Sequence, residues 1–179
     1  MRKSFGVLLA VASLAVPTLV MATPGGAAAA TPTCNAAAGT FKFTPSLPAS
    51  GGVLANLSSA GTVASCSGGG VTSGKTVFTQ TTKSTTTSSC ATLAKPTGKP
   101  TIGKFVVTWN NGKTSTATGF KVTQSTKTIV NATTTGKITA GLFVGKSITG
   151  SVTFALKSAG GKCPGGTYVN TKGVKFVIK

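Results

Sequence analysis

The clearest pattern in the chain is an alternation of apolar and polar positions over residues 104–123, interrupted by Asn111-Gly112. An Asn-Gly pair between two alternating runs predicts a β-hairpin, because both central residues of a type I′ turn need positive φ. Counting outward from this turn, we expect Trp109 to pair with Thr114. One face of the hairpin then holds Phe105, Val107, Trp109, Phe120 and Val122. The other face holds Lys104, Thr108, Lys113, Ser115 and Lys121.

The same alternation recurs in shorter segments along the chain. It is clear at 148–157 and 174–179, around Phe41 and Phe43, and from Lys75 to Lys83. Weaker strands are expected at Val53 to Leu57, Thr62 to Cys66 and Thr128 to Thr139. Clean alternation is typical of antiparallel sheets with one solvated face and argues against a parallel sheet. We therefore expect an all-β fold of about eight to ten strands, either an antiparallel, immunoglobulin-like β-sandwich or a flattened barrel.

The immunoglobulin comparison comes from the order of Cys90, Trp109 and Cys163 in the chain. Immunoglobulin domains have a Trp between two Cys, and a Tyr two residues before the second Cys. Here the position two residues before Cys163 is Gly161. The prediction is therefore an immunoglobulin-like sandwich that lacks the internal marks of the family.

The chain begins with features of an export signal. A short basic start precedes the apolar run Phe5 to Val16, which is shorter than the roughly 20 residues that span a bilayer. Cleavage is expected after Ala22 or within Ala27–Ala30. We therefore expect a signal peptide over 1–30 and a single β domain over 31–179, secreted and without a transmembrane segment after processing.

All four Cys lie beyond either cleavage site. An even number of Cys in an exported chain predicts two disulfides, for which three pairings are formally possible. We expect Cys34 to pair with Cys66, since these two flank an apparent pair of neighbouring strands. Cys90 would then pair with Cys163 and tie the middle of the chain to its last hairpin.

The charged residues exclude many kinds of chemistry. The chain has 18 Lys and Arg but no Asp, Glu or His, and sixteen of these cations, all Lys, remain after removal of the leader. Acid–base catalysis, glycoside hydrolysis and calcium or magnesium binding all rely on the missing residue types. The Cys spacing also offers no Cys-x-x-Cys zinc pair. We therefore expect no enzyme, metal or cofactor; a Ser–Lys dyad, Tyr168 or a reactive Cys would be the remaining routes to catalysis.

The lysines are spread along the chain without any basic run. Such a charge gives a positive potential over most of a small domain. The leading hypothesis is a non-enzymatic cell-envelope or extracellular protein that adheres electrostatically to anionic surface polymers or phospholipid head groups. Lys104, Lys113 and Lys121, which share a face of the predicted hairpin, are candidate contacts.

Two alternatives remain at this point. The protein could be a secreted cationic effector or inhibitor that acts on other cells. The lysines could serve only solubility and discourage edge-to-edge strand pairing. Sequence-specific nucleic-acid binding is not expected, because the mature chain has no Arg and no row of aromatic residues for base stacking.

Three short features carry a resemblance to known proteins. They are Trp-Asn-Asn-Gly-Lys-Thr-Ser-Thr at 109–116, Val-Thr-Ser-Gly at 71–74 and the layout of the four Cys. In these features the chain resembles a group of uncharacterised secreted β-sandwich proteins of actinobacteria, over most of the mature chain. The resemblance implies export and a β-sandwich, and it supplies no activity or site residue.

Overall fold

The first strand of the domain is long enough to pair with two different neighbours. In the computed structural model, which describes residues 30–83, 85, 87–93, 100–124, 130–170 and 175–179, this strand covers 16 residues. The elements in chain order are β1 (Thr33–Pro48), β2 (Asn56–Ser67), β3 (Gly74–Gln80), α1 (Cys90–Leu93), β4 (Thr101–Trp109), β5 (Thr114–Gln124), β6 (Val130–Gly141), β7 (Ser147–Ala159), β8 (Lys162–Asn170) and β9 (Phe176–Ile178).

Strands β1 to β8 form a closed antiparallel barrel. Each pairs with the next strand in the chain, except that the ring closes through β8 on β1. The antiparallel all-β class is thus confirmed, and the barrel alternative agrees with the structure. The immunoglobulin-like sandwich is wrong, and so is the sandwich that the family resemblance implied. The physical reason is that both edges of β1 are paired, one with β2 and the other with β8, which leaves no free edge in the ring.

The β4–β5 hairpin forms where the sequence predicts it, but its register differs by one residue. Trp109 N donates to Lys113 O at 2.8 Å, so the loop has three residues and ends at Gly112, whose φ is 78°. This is the three-residue loop with a left-handed glycine, in place of the two-residue type I′ turn. As a result, Ser115 points into the barrel instead of into solvent. An irregularity in the ladder further along returns Phe120 to the inside.

Other strand predictions were partly right. The two weak segments at 53–57 and 62–66 merge into β2, and Val53 makes only an isolated bridge with Ser88. β8 was missed, because its inward positions include Gly165 and the sequence shows no regular apolar alternation there. The expected leader at 1–30, except for its last residue, and the predicted strand positions 128, 129 and 174 lie outside the described residues.

One end of the barrel, the closed end, and the adjoining middle of the barrel are filled by large side chains. The rings of Phe105 and Phe120 stack with centroids 4.4 Å apart, and Trp109 meets Phe143 edge-on at 5.8 Å. β9 pairs with the starts of β1 and β7 beyond the last residue of β8 and brings Phe176 into the same core. This end of the barrel is a packed apolar core.

Candidate functional site

The opposite end of the barrel, the cap end, contains a cavity of about 500 Å³. This is within the range of roughly 300–1,000 Å³ that is typical of small-molecule sites. Residues from all parts of the rim line it: Phe41, Phe43, Leu47, Ala55, Leu57, Gln80, Thr82, Lys83, Thr85, Ser88, Leu93, Pro100, Thr101, Ile102, Val122, Gln124, Ala132, Phe154 and Leu156. Most of these side chains are apolar, so the cavity favours an apolar occupant.

Two small inward side chains, Ala55 and Ala132, contribute to the space at the cap end. The middle of the barrel is filled by Phe78, Phe105 and Phe120. At the cap end the lining positions include Ala55 and Ala132, both of which are almost fully buried. Eight strands enclose a space that side chains can fill or that can hold one small ligand. At the cap end of this barrel, Ala55 and Ala132 therefore leave part of the interior unfilled by side chains.

The described residues between β3 and β4, namely 81–83, 85, 87–93 and 100, are called the cap, because they place α1 at this end of the barrel. On one side, Cys90 of α1 forms a disulfide with Cys163 at the start of β8. On the other side, Gln124 at the end of β5 donates its Nε2 hydrogen bond to the carbonyl of Leu93. In the ring of eight strands, β5 lies opposite β1 and three positions away from β8, so the two anchors are on different parts of the rim. The described part of the cap is therefore fixed at both sides of the opening.

Further anchors join the cap to the β1–β2 connection. Val53 and Ser88 exchange both backbone hydrogen bonds, at 3.0 and 2.9 Å. Ala91 N also donates to Ala49 O at 3.4 Å. These bonds hold Leu93 in the cavity lining together with Leu47, which is fully buried.

A second, smaller cavity of about 60 Å³ lies further into the barrel and shares lining residues such as Leu57 and Phe154 with the first. It contains the hydroxyl of Tyr168, which lies 3.3 Å from Thr76 Oγ1. Burial raises the pKa of Tyr168 above its usual 10.0, and side-chain hydrogen bonds with Thr76 and Ser59 oppose that shift. The inner cavity thus offers neutral hydroxyl groups at neutral pH.

Facing glycines make room for the hydroxyl of Tyr168. Gly39 on β1 lies directly opposite Gly61 on β2. A Cβ atom at either position would collide with the Tyr168 hydroxyl and with backbone atoms of the neighbouring strand. The side chain of Tyr168 can therefore extend over β1 and β2 toward Thr76 on β3 only because Gly39 and Gly61 lack side chains.

The described lysines lie on the outside of the barrel. All twelve of them are exposed. Lys104 and Lys121 lie on neighbouring strands, whereas Lys113 directly follows the turn at the closed end. Lys83 differs from the others because it also lines the cavity.

The disulfides are paired as predicted. Cys34 joins Cys66, its direct partner across the β1–β2 ladder, and Cys90 joins Cys163. All four Cys are therefore in disulfides, and none is a free thiol. Two disulfides are typical of an oxidising, extracellular environment. In the described segments, no helix has the length and apolarity needed to cross a membrane.

Sequence reasoning did not find the cavity or Lys83. Two features of the sequence are consistent with the cavity once the structure is known. One is the twenty-residue connection between β3 and β4, since loops of that length in a compact domain are often functional. The other is the presence of Ala55 and Ala132 at positions where a filled barrel would carry larger residues.

The fold and the cavity together define a class of protein, namely a disulfide-linked, eight-stranded antiparallel β-barrel with a capped apolar cavity. Comparison of the chain with protein-family models, with curated proteins and with solved structures gives no match.

Proposed function

We propose that this protein is a non-enzymatic, secreted binding protein that holds one small apolar molecule in the capped end of its barrel. The observation that carries the proposal is the cavity of about 500 Å³, lined mainly by apolar strand residues and by residues of the cap. Atoms that line an unfilled apolar space lack the van der Waals contacts of a packed interior. A bound ligand would provide van der Waals contacts to the atoms that line the cavity.

The volume sets the size of the ligand. With about 30 Å³ for each non-hydrogen atom, as for a water molecule in the liquid, the cavity holds roughly 15 to 20 such atoms. That size matches a single medium-length hydrocarbon chain or a compact ring system. The lining also contains polar residues such as Thr85 and Thr101, so it suits a ligand with one polar end.

Cavity filling tests the proposal. Ala132 is buried and lines the cavity, whereas Ala140 on the same strand is exposed. Titration with a neutral, polarity-sensitive dye such as N-phenyl-1-naphthylamine should give saturable binding with one site per chain. Ala132→Phe should abolish the fluorescence increase, and Ala140→Phe should leave it unchanged. Equal binding by both variants, or no saturable binding to the wild type, would reject the proposal.

A second candidate function is adhesion to anionic cell-envelope polymers or phospholipid head groups. It is favoured by the exposure of every described lysine of the mature chain and by the lack of any acidic side chain. Lysine ammonium groups act as point charges, so this binding would follow charge and not shape. It uses the outer surface and is compatible with a ligand inside the barrel.

Retention on isolated wall polymer and on anionic liposomes across a salt series tests this adhesion. We expect retention to fall as salt rises, because exposed charges are screened over about 10 Å at 0.1 M. Replacing Lys104, Lys113 and Lys121 together by Gln should weaken retention about as much as replacing three other exposed lysines, such as Lys75, Lys137 and Lys157, because both changes remove the same charge. No loss of retention in either triple variant would contradict the hypothesis. Retention that does not change with salt would reject electrostatic adhesion.

A further inference from the structure

The described lining of the cavity includes one positively charged side chain. Among its described lining residues, Lys83 is the only charged side chain. It belongs to the cap, and its side chain is exposed at the edge of the cavity. In the described part of the chain, no hydrogen bond or ion pair engages its ammonium group. The positively charged side chain of Lys83 therefore lies at the entrance of the apolar cavity.

The neighbouring polar side chains are already engaged with the protein. Gln80 accepts a hydrogen bond from Leu57 N at 2.8 Å and donates one to Thr82 O at 2.7 Å. Gln124 donates to the carbonyl of Leu93. These amides fix the rim of the cavity and have little capacity left for a ligand. Lys83 is therefore the group at this rim that is best placed to receive a polar ligand atom.

No acidic side chain of the protein can neutralise Lys83, because the chain contains no Asp or Glu. The C-terminal residue, Lys179, bonds with Ser147 at the closed end, at the far side of the barrel. A partner charge for Lys83 must therefore come from another molecule. The sixteen positive charges of the mature chain also repel cationic ligands and attract anionic ones.

From these observations we infer that the ligand is an anionic amphiphile, with a hydrocarbon chain in the cavity and a carboxylate or similar head group at Lys83. This inference rests on the proposed function and specifies its ligand class. The opposite orientation would place a charged head group among the hydroxyls of Tyr168 and Thr76 in the inner cavity. That arrangement buries an anion without any cation beside it, and burial of an unpaired charge is strongly unfavourable.

Calorimetric titration with dodecanoate and dodecanol, both as monomers in solution, tests the inference. The two molecules share a hydrocarbon chain and differ in the charge of the head group. We expect the wild type to bind dodecanoate more tightly than dodecanol by about two- to fivefold, as for an exposed ion pair. Lys83→Gln should remove this preference, because neither head group then meets a positive charge at the rim. Lys137→Gln, which removes a charge from the outer surface near the closed end, should keep the preference.

The outcomes separate this inference from the proposed function. Binding of both molecules to the wild type with equal affinity, or an unchanged preference in Lys83→Gln, would overturn the inference while the cavity remained a binding site. Loss of the preference in Tyr168→Phe but not in Lys83→Gln would reverse the orientation and also overturn it. Failure of both molecules to bind would instead reject the proposed function.

Discussion

Cys90 in the cap is bonded to Cys163 on β8, and this disulfide fixes one side of α1 across the end of the barrel. The other disulfide, Cys34–Cys66, joins two neighbouring strands at the closed end. The two bonds therefore have different expected roles. One positions the cover of the cavity, and the other reinforces a strand pair that is already hydrogen-bonded.

Removing each disulfide separately tests this difference. The bridges span 73 and 32 residues, and each is expected to contribute about 3–5 kcal/mol to the free energy of unfolding by restricting the unfolded chain. The double variant Cys90→Ala/Cys163→Ala should lose stability and also bind the neutral dye more weakly. The double variant Cys34→Ala/Cys66→Ala should lose stability but, where folded, bind the dye like the wild type. Equal dye affinity in both variants would contradict the role of the cap.

Ser115 is expected to stabilise the closed end. Its Oγ accepts a hydrogen bond from Trp109 Nε1 at 2.8 Å and donates one to the carbonyl of Leu142 at 2.6 Å. Ser115→Ala leaves both buried partners unsatisfied, which should lower the free energy of unfolding by about 1–3 kcal/mol. Denaturant unfolding followed by the fluorescence of Trp109 measures this loss. Thr114→Ala, at the exposed neighbouring position, is the control, and a similar loss there would contradict the account.

The paired glycines predict an asymmetry between neighbouring positions on β2. A Cβ at Gly61 would collide with the carbonyl oxygen of Ala38 and with the hydroxyl of Tyr168. Gly61→Ala should therefore lower stability by at least about 1–3 kcal/mol, as for other overpacked interiors. Ala60→Ser, at the adjacent outward position, should change it by less than about 0.5 kcal/mol. Thermal unfolding of the two variants compares them, and a neutral effect of Gly61→Ala would show that the barrel can widen there.

Tyr168 is the only Tyr of the chain, so its ionisation can be followed by tyrosinate absorbance without ambiguity. Burial raises the pKa of its hydroxyl, and we expect a midpoint above 10.0 in the folded protein. The folded state then holds the proton at pH values where the unfolded chain has released it. The stability from this group is complete below pH 10.0 and is lost as the pH rises through the folded pKa. Tyr168→Phe should remove that part of the alkaline loss, and a midpoint at or below 10.0 would contradict the burial of the hydroxyl.

Much of the fold could be predicted because alternation and turn residues act locally. The runs around Phe105 and Phe154 form strands where the pattern indicates them, and the exposed lysines follow the same alternation. The number of Cys and their positions relative to the strands were enough to predict both disulfides. These features depend on neighbouring residues, which the sequence displays directly.

Closure of the sheet and the cavity depend on distant residues, and the sequence does not display those relationships. The alternation of apolar and polar residues is the same in a sandwich and in a barrel, because each strand has one inward face in both folds. The difference lies in whether β1 also reaches β8. The register of the hairpin at Gly112 was missed for a local reason, because Asn-Gly suits both a two-residue and a three-residue loop.

The central claim is that the ligand occupies the capped end of the barrel, and a titration of methyl-labelled protein followed by NMR tests it most directly. On addition of dodecanoate, we expect saturable shifts at the methyl groups of Val122, Ala132 and Leu156, which line the cavity. The exposed outer residues Val77, Val144 and Val169 should remain unchanged. Shifts confined to those outer valines, or the absence of saturable shifts at the cavity methyls, would contradict the account.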